Sequence, residues 1–415
     1  MRSAVGQENQ MQEHASLAPL PVDRRAGCPF DPPPGLKDMK LSGPIVRAVH
    51  QDGYVGWLIT DHSLAREMLL DPRFSARSDL RRSAVGEKSG EAMSPPLPGQ
   101  FISMDKPEHS RYRKILAKYF TVNRLDRMTA DIERIVNAQL EVLAADGSPA
   151  DLVRAFAMPV PSLVMGDLIG VPPAHRQAVQ QINTDFAMAE DIADRNRQLG
   201  RLWAYLSQLI EYRRHQPGPG LVSSLISEHP DLTDGELLQL TLGLILGGHE
   251  TTANMISLGV FALLRHPDQL DRMMSDPASD GAAVTELLRY LTVTHLGLPY
   301  RAALEDVELG GVLIGKGETV TIALPAANRD ESVFAAPDTL ALDRSDARHH
   351  LAFGYGAHRC LGQYLAELEL RIAYRGIFER LPGLRLAVED VPMRRNATIY
   401  GPKSLMVTWD ARDRG

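Results

Sequence analysis

The chain has little cysteine, because its 415 residues include only Cys28 and Cys360. Two cysteines cannot form the disulfide framework of a small secreted scaffold, nor can they supply the four thiolates of an iron–sulfur cluster. We therefore expect a cytoplasmic protein that carries no cluster of its own.

Long apolar runs and an excess of basic charge are also missing. Residues 1–25 are polar, so we expect neither a signal peptide nor a membrane anchor. The strongest apolar stretch, residues 237–248, is shorter than the ~20 residues that a helix needs to cross a bilayer. The 45 basic and 52 acidic residues give a net charge of −7, which argues against general affinity for nucleic acid or anionic membranes.

Short turns near both ends of the chain predict a small β region. Asp52-Gly53, flanked by apolar segments, is a strong hairpin signal. Gly310-Gly311 predicts a second hairpin that pairs residues 307–309 with residues 319–324.

Helical periodicity dominates the middle of the chain. The longest helix is predicted to begin after Thr233, which forms a capping box with Glu236, and to end before Pro267. This helix is apolar on nearly every side, as expected for a helix that crosses the centre of a large protein. The sequence thus predicts a mainly α fold with a small β region, comprising an N-terminal arm (residues 1–35) and a single domain (residues 36–415).

The most informative segment is a ten-residue motif near the C-terminus. It reads Phe353-Gly354-Tyr355-Gly356-Ala357-His358-Arg359-Cys360-Leu361-Gly362. Its glycines permit a sharp turn and the close approach of a flat ligand. A helix is predicted directly after Cys360, and the positive end of its dipole is expected to lower the pKa of the thiol. A lone cysteine is usually a small buried hydrophobe, whereas a thiolate held in this way is the kind of axial ligand that haem iron uses for O–O bond cleavage.

This motif resembles the haem-binding signature of the cytochrome P450 family, in which the cysteine ligates the iron. The resemblance covers roughly residues 45–410. It implies the cytochrome P450 fold, with haem b (iron protoporphyrin IX) between the long central helix and the cysteine loop. Cys360 would be the metal ligand, and Phe353 and Gly354 would contact the haem.

The middle of the longest helix resembles the family's oxygen-activation motif, A-G-x-[D/E]-T. In this chain the segment reads Gly247-Gly248-His249-Glu250-Thr251, with glycine at 247 instead of the usual alanine. The resemblance implies that Gly248 borders the haem and that Glu250 and Thr251 are the catalytic acid and alcohol that deliver protons. The alternative is structural, since a helical threonine can bond back to the carbonyl four residues earlier. The methyl group missing at 247 is expected to leave room for a bulkier substrate.

Four basic residues match family positions that contact the two haem propionates. His109 and Arg113 share one helix face, Arg301 precedes the predicted second hairpin, and His358 lies just before the cysteine. Each of them alone is more often a solvated surface residue. Their agreement with the family pattern at all four positions favours haem binding.

Two further groups of charges have roles other than binding the haem. Glu286 and Arg289 lie three residues apart on one helix, and an ion pair at this spacing usually adds little stability. They resemble the family's structural ion pair, and Arg344 is expected to be the third member of the same network. A basic group is expected near the cysteine, made of Arg111, Lys114, Lys118, Arg348, His349, His350 and Arg359. It is either a solvated face or a docking patch for an acidic electron-donor protein.

The resemblance implies a soluble bacterial monooxygenase of the type that hydroxylates secondary metabolites or xenobiotics. Such an enzyme inserts one oxygen atom of O2 into a C–H bond of a lipophilic small molecule. No G-x-G-x-x-G run follows a predicted strand, so NAD(P)H-derived electrons are expected to arrive through a ferredoxin and its reductase. Apolar segments, including the 75–100 loop and a region with Phe186 and Met188, are expected to line the pocket, with Thr292, Thr294 and His295 as polar handles.

Two alternatives share the same thiolate-ligated haem. One is a peroxygenase driven by hydrogen peroxide, but members of that kind usually replace the Glu250-Thr251 pair that this chain retains. The other is a non-catalytic haem-thiolate binder or gas sensor, which an accompanying signalling domain would favour. No such domain is evident in the sequence.

Overall fold

A computed structural model describes residues 17–25, 27–84, 94–296, 298–395 and 398–410. The predictions for residues 1–16 of the arm and for residues 85–93 of the 75–100 loop lie outside this described part. The prediction of a mainly α fold with a small β region is confirmed. Among the described residues, no helix combines the length and the apolar character needed to cross a membrane.

Helices make up most of the regular structure, and the strands are short. The helices are α1 (Gly35–Ser42), α2 (His62–Leu70), α3 (Glu108–Ala117), α4 (Val122–Asp126), α5 (Thr129–Asp146), α6 (Pro159–Ile169), α7 (Arg176–Met188), α8 (Ile192–His215), α9 (Leu221–Glu228), α10 (Asp234–Arg265), α11 (Pro267–Ser275), α12 (Asp280–Leu291), α13 (Leu324–Ala327) and α14 (Gln363–Arg380). The strands are β1 (Ile45–Val49), β2 (Val55–Ile59), β3 (Phe74–Ser75), β4 (Ala150–Asp151), β5 (Tyr300–Ala303), β6 (Val307–Leu309), β7 (Val312–Ile314), β8 (Thr319–Ile322), β9 (Arg385–Leu386) and β10 (Met406–Thr408).

The largest sheet joins residues from both ends of the chain in the order β1-β2-β8-β5-β3. β1 and β2 form the predicted antiparallel hairpin, in which Val49 lies opposite Val55. β8 runs parallel to β2 and antiparallel to β5. A smaller sheet has the order β4-β10-β9, and β6 with β7 forms a separate ribbon.

The second hairpin was predicted with the wrong second strand. The Gly310-Gly311 turn joins β6 to β7, with Leu309 opposite Val312. Both glycines have positive φ angles, 55° and 78°, as a two-residue turn between adjacent strands requires. Residues 319–322 instead form the central strand β8. All four side chains are buried, as expected for a strand whose two faces are both covered by the rest of the protein.

Helix α10 crosses the largest hydrophobic core, as its apolar sequence predicts. Its capping box is present, because the Thr233 hydroxyl accepts from the Glu236 backbone N–H while the Glu236 carboxylate accepts from the Thr233 N–H. The helix ends at Arg265, and Pro267 begins α11. α10 packs against α6, α8 and α14, so its middle lies at the centre of the protein.

A buried ion-pair network links α12 to the segment that leads to the cysteine. The Arg289 guanidinium donates to both carboxylate oxygens of Glu286, at 2.6 and 2.8 Å, and both side chains are 0% exposed. Arg344 donates to the same carboxylate at 3.1 Å, in agreement with its predicted place. Arg289 also donates to the carbonyls of Asn328 and Pro337, each at 2.9 Å. The network therefore fixes α12 against residues 328–344.

We expect Arg289→Met to destabilise the protein strongly. It would leave the buried Glu286 carboxylate without its bidentate partner, and breaking a buried pair from one side costs about 3–5 kcal/mol. The matched control is Arg197→Met, which breaks the solvent-accessible Asp194–Arg197 pair of the same i,i+3 spacing and should cost at most about 1 kcal/mol. Urea unfolding followed by circular dichroism measures both changes, and equal losses for the two variants would contradict this assignment.

Candidate active site

The cysteine motif forms a tight loop ahead of α14. Gly354 and Gly356 have φ angles of 68° and 70°, which disfavour any other residue. A Cβ added at Gly356 would lie 2.7 Å from the Leu69 carbonyl oxygen at the end of α2. The Cys360 N–H donates to the Phe353 carbonyl at 2.9 Å and closes the loop. The position of the thiol is therefore set by backbone hydrogen bonds and by the close packing of α2.

The expected lowering of the Cys360 pKa by the helix dipole is wrong for the protein by itself. Burial raises the pKa of the thiol, while the Gly362 N–H and the Arg113 guanidinium oppose this effect only in part. α14 begins three residues later, at Gln363, and the field of a helix dipole falls off within its first turn. A bound metal ion would remove the proton, because a coordinating thiol is deprotonated outright.

A cavity of about 350 Å³ lies between α10, the cysteine loop and α14. It brings together nearly all the residues that the sequence motifs assign to the site. They are His109, Arg113, Gly248, Thr251, Arg301, Phe353, Gly354, His358 and Cys360. The exception is Glu250, which does not line this cavity.

The two histidines of the site stack on each other at one side of the cavity. The ring centroids of His109 and His358 lie 4.0 Å apart. Burial is the main cause that lowers the pKa of His109 to about 4 and that of His358 to about 2, with further lowering from neighbouring guanidinium groups. Both imidazoles are therefore neutral at pH 7, and they offer hydrogen bonds rather than charge. The buried Nε2 atom of His109 has no partner among the described residues.

Arg113 and Arg301 supply positive charge to the same space. In the described part of the chain neither guanidinium forms an ion pair, and Arg301 donates only to the Tyr300 carbonyl, at 2.9 Å. Burial lowers the pKa of Arg301 to about 10, so it stays cationic at neutral pH. Arg301 is buried and Arg113 is half-buried. Two such cations without ion pairs among the described residues, beside an unpartnered imidazole, suit a ligand with carboxylates. Together with an accessible thiol across the cavity, this donor set fits a haem and its two propionates.

On the α10 side, glycine 247 opens the helix surface to the cavity. A Cβ added at Gly247 would meet no atom within 4 Å, whereas one at Gly248 would lie 2.7 Å from the Met165 sulfur. The Thr251 hydroxyl donates to the Gly247 carbonyl at 2.6 Å. The structural role of this threonine is thus present, and the same hydroxyl still borders the cavity.

Glu250 lies in a second, wide cleft of about 1920 Å³. Its carboxylate accepts from Arg195 of α8 at 3.1 Å and from Arg394 at 2.7 Å. These partners are 55 and 144 residues away along the chain, so no local sequence signal could identify them. The acid and the alcohol, neighbours in sequence, therefore line different spaces.

Two cavity residues, Arg81 and Glu369, are not indicated by the sequence motifs. Arg81 follows β3 in an irregular segment, where a single arginine carries no pattern. Glu369 lies on α14 and is 2% exposed. Its Oε2 atom has no partner in the part that the structure describes, and burial raises its pKa well above the ordinary value. A lone acid on the apolar face of the predicted α14 helix was the available signal for it.

Two of the three polar residues predicted to contact the substrate form hydrogen bonds within the protein instead. The Thr292 hydroxyl donates to the Arg289 carbonyl at 2.8 Å, and the His295 ring lies 2.9 Å from the Val22 carbonyl. Thr294 does line the cavity. Phe186 lies instead under the Arg195 guanidinium, at 4.3 Å from the ring centroid, and Met188 lines the second cleft.

The predicted basic group near the cysteine is partly neutralised. Arg111 pairs with Glu236 at 2.7 Å, and Lys118 pairs with Glu228 at 2.6 Å. Lys114, Arg348 and Arg359 are exposed and form no ion pair within the described ranges. Any docking patch must therefore depend on these three rather than on Arg111 and Lys118.

Comparison with known proteins gives the same picture over most of the chain. The family model described as Cytochrome P450 matches residues 179–276 and 281–397. The chain is 41% identical to cytochrome P450 105C1 of Streptomyces sp over 386 residues, 92% of this chain and 96% of that protein. It is 40% identical to pentalenic acid synthase of Streptomyces avermitilis over 397 residues, 94% of this chain and 98% of that protein.

A solved structure, that of CYP105P1 in complex with filipin I, superposes on this fold with a TM-score of 0.88. The two chains are 40% identical, and the match covers 96% of this chain and 100% of the other. The residues matched by the family model include α10 and the cysteine loop. This chain belongs to the cytochrome P450 family, whose members are haem-thiolate monooxygenases.

Proposed function

We propose that this protein hydroxylates a lipophilic small molecule at the cavity above Cys360, with electrons supplied by a ferredoxin. The observation that carries the proposal is the cavity itself. It is lined by the Cys360 thiol, by Thr251 and by the guanidinium groups of Arg113 and Arg301. Bound haem supplies the oxidising chemistry, the activation of O2 for insertion of one oxygen atom into a C–H bond. The residues of this chain bind, orient and control protons.

Cys360 is proposed as the iron ligand, and the polar residues on the other side of the cavity as the propionate contacts. Arg113 and Arg301 provide charge, and His109 and His358 provide neutral hydrogen-bonding groups. Phe353 and Gly354 border the ring from the cysteine loop, and Gly248 borders it from α10. Backbone geometry fixes the thiol, so its sulfur needs no reorganisation to bind a metal.

We propose that Glu250 and Thr251 move protons from solvent to the cavity. Glu250 sits between Arg195 and Arg394 at the wall of the wide cleft, whereas Thr251 borders the cavity. The Thr251 hydroxyl donates to the Gly247 carbonyl, so its lone pairs are free to accept hydrogen bonds from water in the cavity. A proton then passes α10 by way of two adjacent residues that line different spaces.

A sizeable lipophilic substrate is proposed from the cavity lining. Apart from the polar side it is formed by apolar side chains, among them Met165, Leu244, Met255, Val293 and Leu298. The relatives support this class, since one is named for the synthesis of pentalenic acid and one solved structure contains filipin I. Secondary metabolites of this general kind are the proposed substrates.

The electron donor is proposed to be a ferredoxin that docks near the cysteine loop. Lys114, Arg348 and Arg359 are the exposed basic residues available there. Positive groups on a protein of net charge −7 steer an acidic partner to one face. We place this reaction in the cytoplasm, in keeping with two free cysteines.

We expect the purified protein with NADPH and O2 to form no product from any ligand that shifts its Soret band. Adding a ferredoxin and a ferredoxin reductase should start turnover, because the chain offers no dinucleotide motif of its own. Product formation is followed by mass spectrometry, with incorporation of oxygen from labelled O2 as the readout. Turnover without added redox proteins would contradict the proposed need for a ferredoxin. Absence of turnover with several ferredoxin–reductase pairs would count against the proposed hydroxylation.

Thr251→Ala should lower the product formed per NADPH consumed and raise hydrogen peroxide release. A positioned proton-transfer group contributes about 10²–10⁴-fold to the step that it serves. The matched control is Thr241→Ala on the same helix, where the hydroxyl donates to the Leu237 carbonyl at 2.7 Å but borders no part of the cavity. Glu250→Gln should act like Thr251→Ala. If both variants formed as much product per NADPH as Thr241→Ala does, the proposed roles would be excluded.

Gly247→Ala should fold normally and weaken binding of bulky ligands several-fold, with little effect on small ones. The added methyl group meets no protein atom, so it occupies cavity space that a large ligand needs. Gly248→Ala is the comparison, because its methyl group would collide with Met165 and should impair binding of ligands of every size. Soret titrations with a size series of ligands test both variants, and a uniform effect of Gly247→Ala would contradict the expectation.

A further inference from the structure

Arg81 is an almost fully buried arginine whose hydrogen-bonding capacity is largely unused. Its side chain lines the cavity and is 5% exposed. Its guanidinium lies over the Tyr300 ring, 4.1 Å from the centroid, and donates to the Ser103 hydroxyl at 3.2 Å. The buried Nε atom has no partner among the described residues. A guanidinium has five N–H donors, so this side chain retains free donors in a space shielded from solvent.

The charges around Arg81 are predominantly positive. Arg81 contributes to the lowered pKa of Arg301, and both guanidinium groups contribute to the lowered pKa of His358. Arg113 and Arg359 also line the cavity. In the part of the chain that the structure describes, none of these four arginines forms an ion pair.

Asp105 is an acidic residue that interacts through space with Arg81 and Arg301, but its carboxylate is engaged elsewhere. Burial lowers the pKa of both arginines, and Asp105 opposes this lowering only in part. Its carboxylate oxygens accept from the Ser75 hydroxyl at 2.5 Å and from the Ala76 N–H at 2.8 Å. The buried Arg81 and Arg301 are therefore short of negative charge, and buried charges need compensation.

We propose that Arg81 is a carboxylate-binding residue of the cavity, in addition to Arg113 and Arg301. It takes either a haem propionate or a carboxylate of the substrate, and in both cases the recognition is a charge-assisted bond from the guanidinium edge. The inference rests on the proposed site at Cys360. A carbon monoxide difference spectrum of each variant therefore tests thiolate-ligated haem separately from the role of Arg81.

The test compares Arg81→Met with Arg82→Met in the holoprotein. Arg82 is exposed, lies over the Tyr54 ring and does not line the cavity. Haem loss is measured as transfer to excess apomyoglobin, and ligand preference is measured by Soret titration with decanoic acid against decanamide. A propionate contact predicts roughly tenfold faster haem loss for Arg81→Met, as expected for one bond to a charged group. A substrate contact predicts unchanged haem loss and the disappearance of any preference for decanoic acid.

Haem loss and ligand preference both equal to those of Arg82→Met would overturn the proposal. If Arg81→Met fails to accumulate as holoprotein, Arg81→Lys and Arg81→Gln are compared in the same two assays. A carboxylate-binding role predicts that lysine, which keeps the charge, performs better than glutamine in at least one of them. Equal behaviour of lysine and glutamine in both assays would assign Arg81 to packing on Tyr300 alone.

Discussion

The buried Glu286–Arg289–Arg344 network is the interaction on which the position of the thiol depends. Arg289 donates to the carbonyl of Asn328, and the Asn328 side chain in turn accepts from the Leu351 N–H at 2.7 Å. Leu351 begins the loop that carries the cysteine. Both of these hydrogen bonds involve a backbone group, so they hold the main chain of the loop in place. Two charges without access to water are stable only with complete partners, and completing them fixes the loop.

Helix α10 meets a different constraint, because it must be apolar for the core and yet carries an acid and an alcohol at its centre. The fold resolves this conflict by facing the two polar residues in different directions. Glu250 leaves the core for a polar cleft with two arginines, and Thr251 satisfies its donor within the helix. Both side chains have hydrogen-bond partners, so neither is left unpartnered in apolar surroundings. The central helix therefore stays stable and still carries polar groups next to the cavity.

Local signals in the sequence were sufficient wherever the deciding contact is also local. The capping box at Thr233 and the hairpin turn at Asp52-Gly53 follow from near neighbours. The site residues from His109 to Cys360 were assigned from the family motifs that the sequence resembles, and the structure brings most of them to one cavity. The pairing of residues 319–322 failed because β8 bonds to β2, which lies far earlier in the chain. Arg195, Arg394 and Arg81 were missed for the same reason, since their roles come from tertiary contacts. Burial of the thiol, which raises the pKa of Cys360, also results from tertiary packing and was not indicated by the sequence.

The division of the cavity into a positive side and an apolar side has a consequence for selectivity. Desolvated guanidinium groups attract any carboxylate that reaches them, whereas the apolar wall discriminates mainly by size and shape. If haem propionates occupy the polar side as proposed, a neutral ligand would gain little from that side. Contacts along α10 and with Val293, Thr294 and Leu298 would then set its orientation. An acidic ligand gains a directional contact only if a guanidinium remains unsatisfied. The number of free guanidinium donors, more than the cavity volume, then decides whether an acidic group is held at a fixed place relative to the thiol.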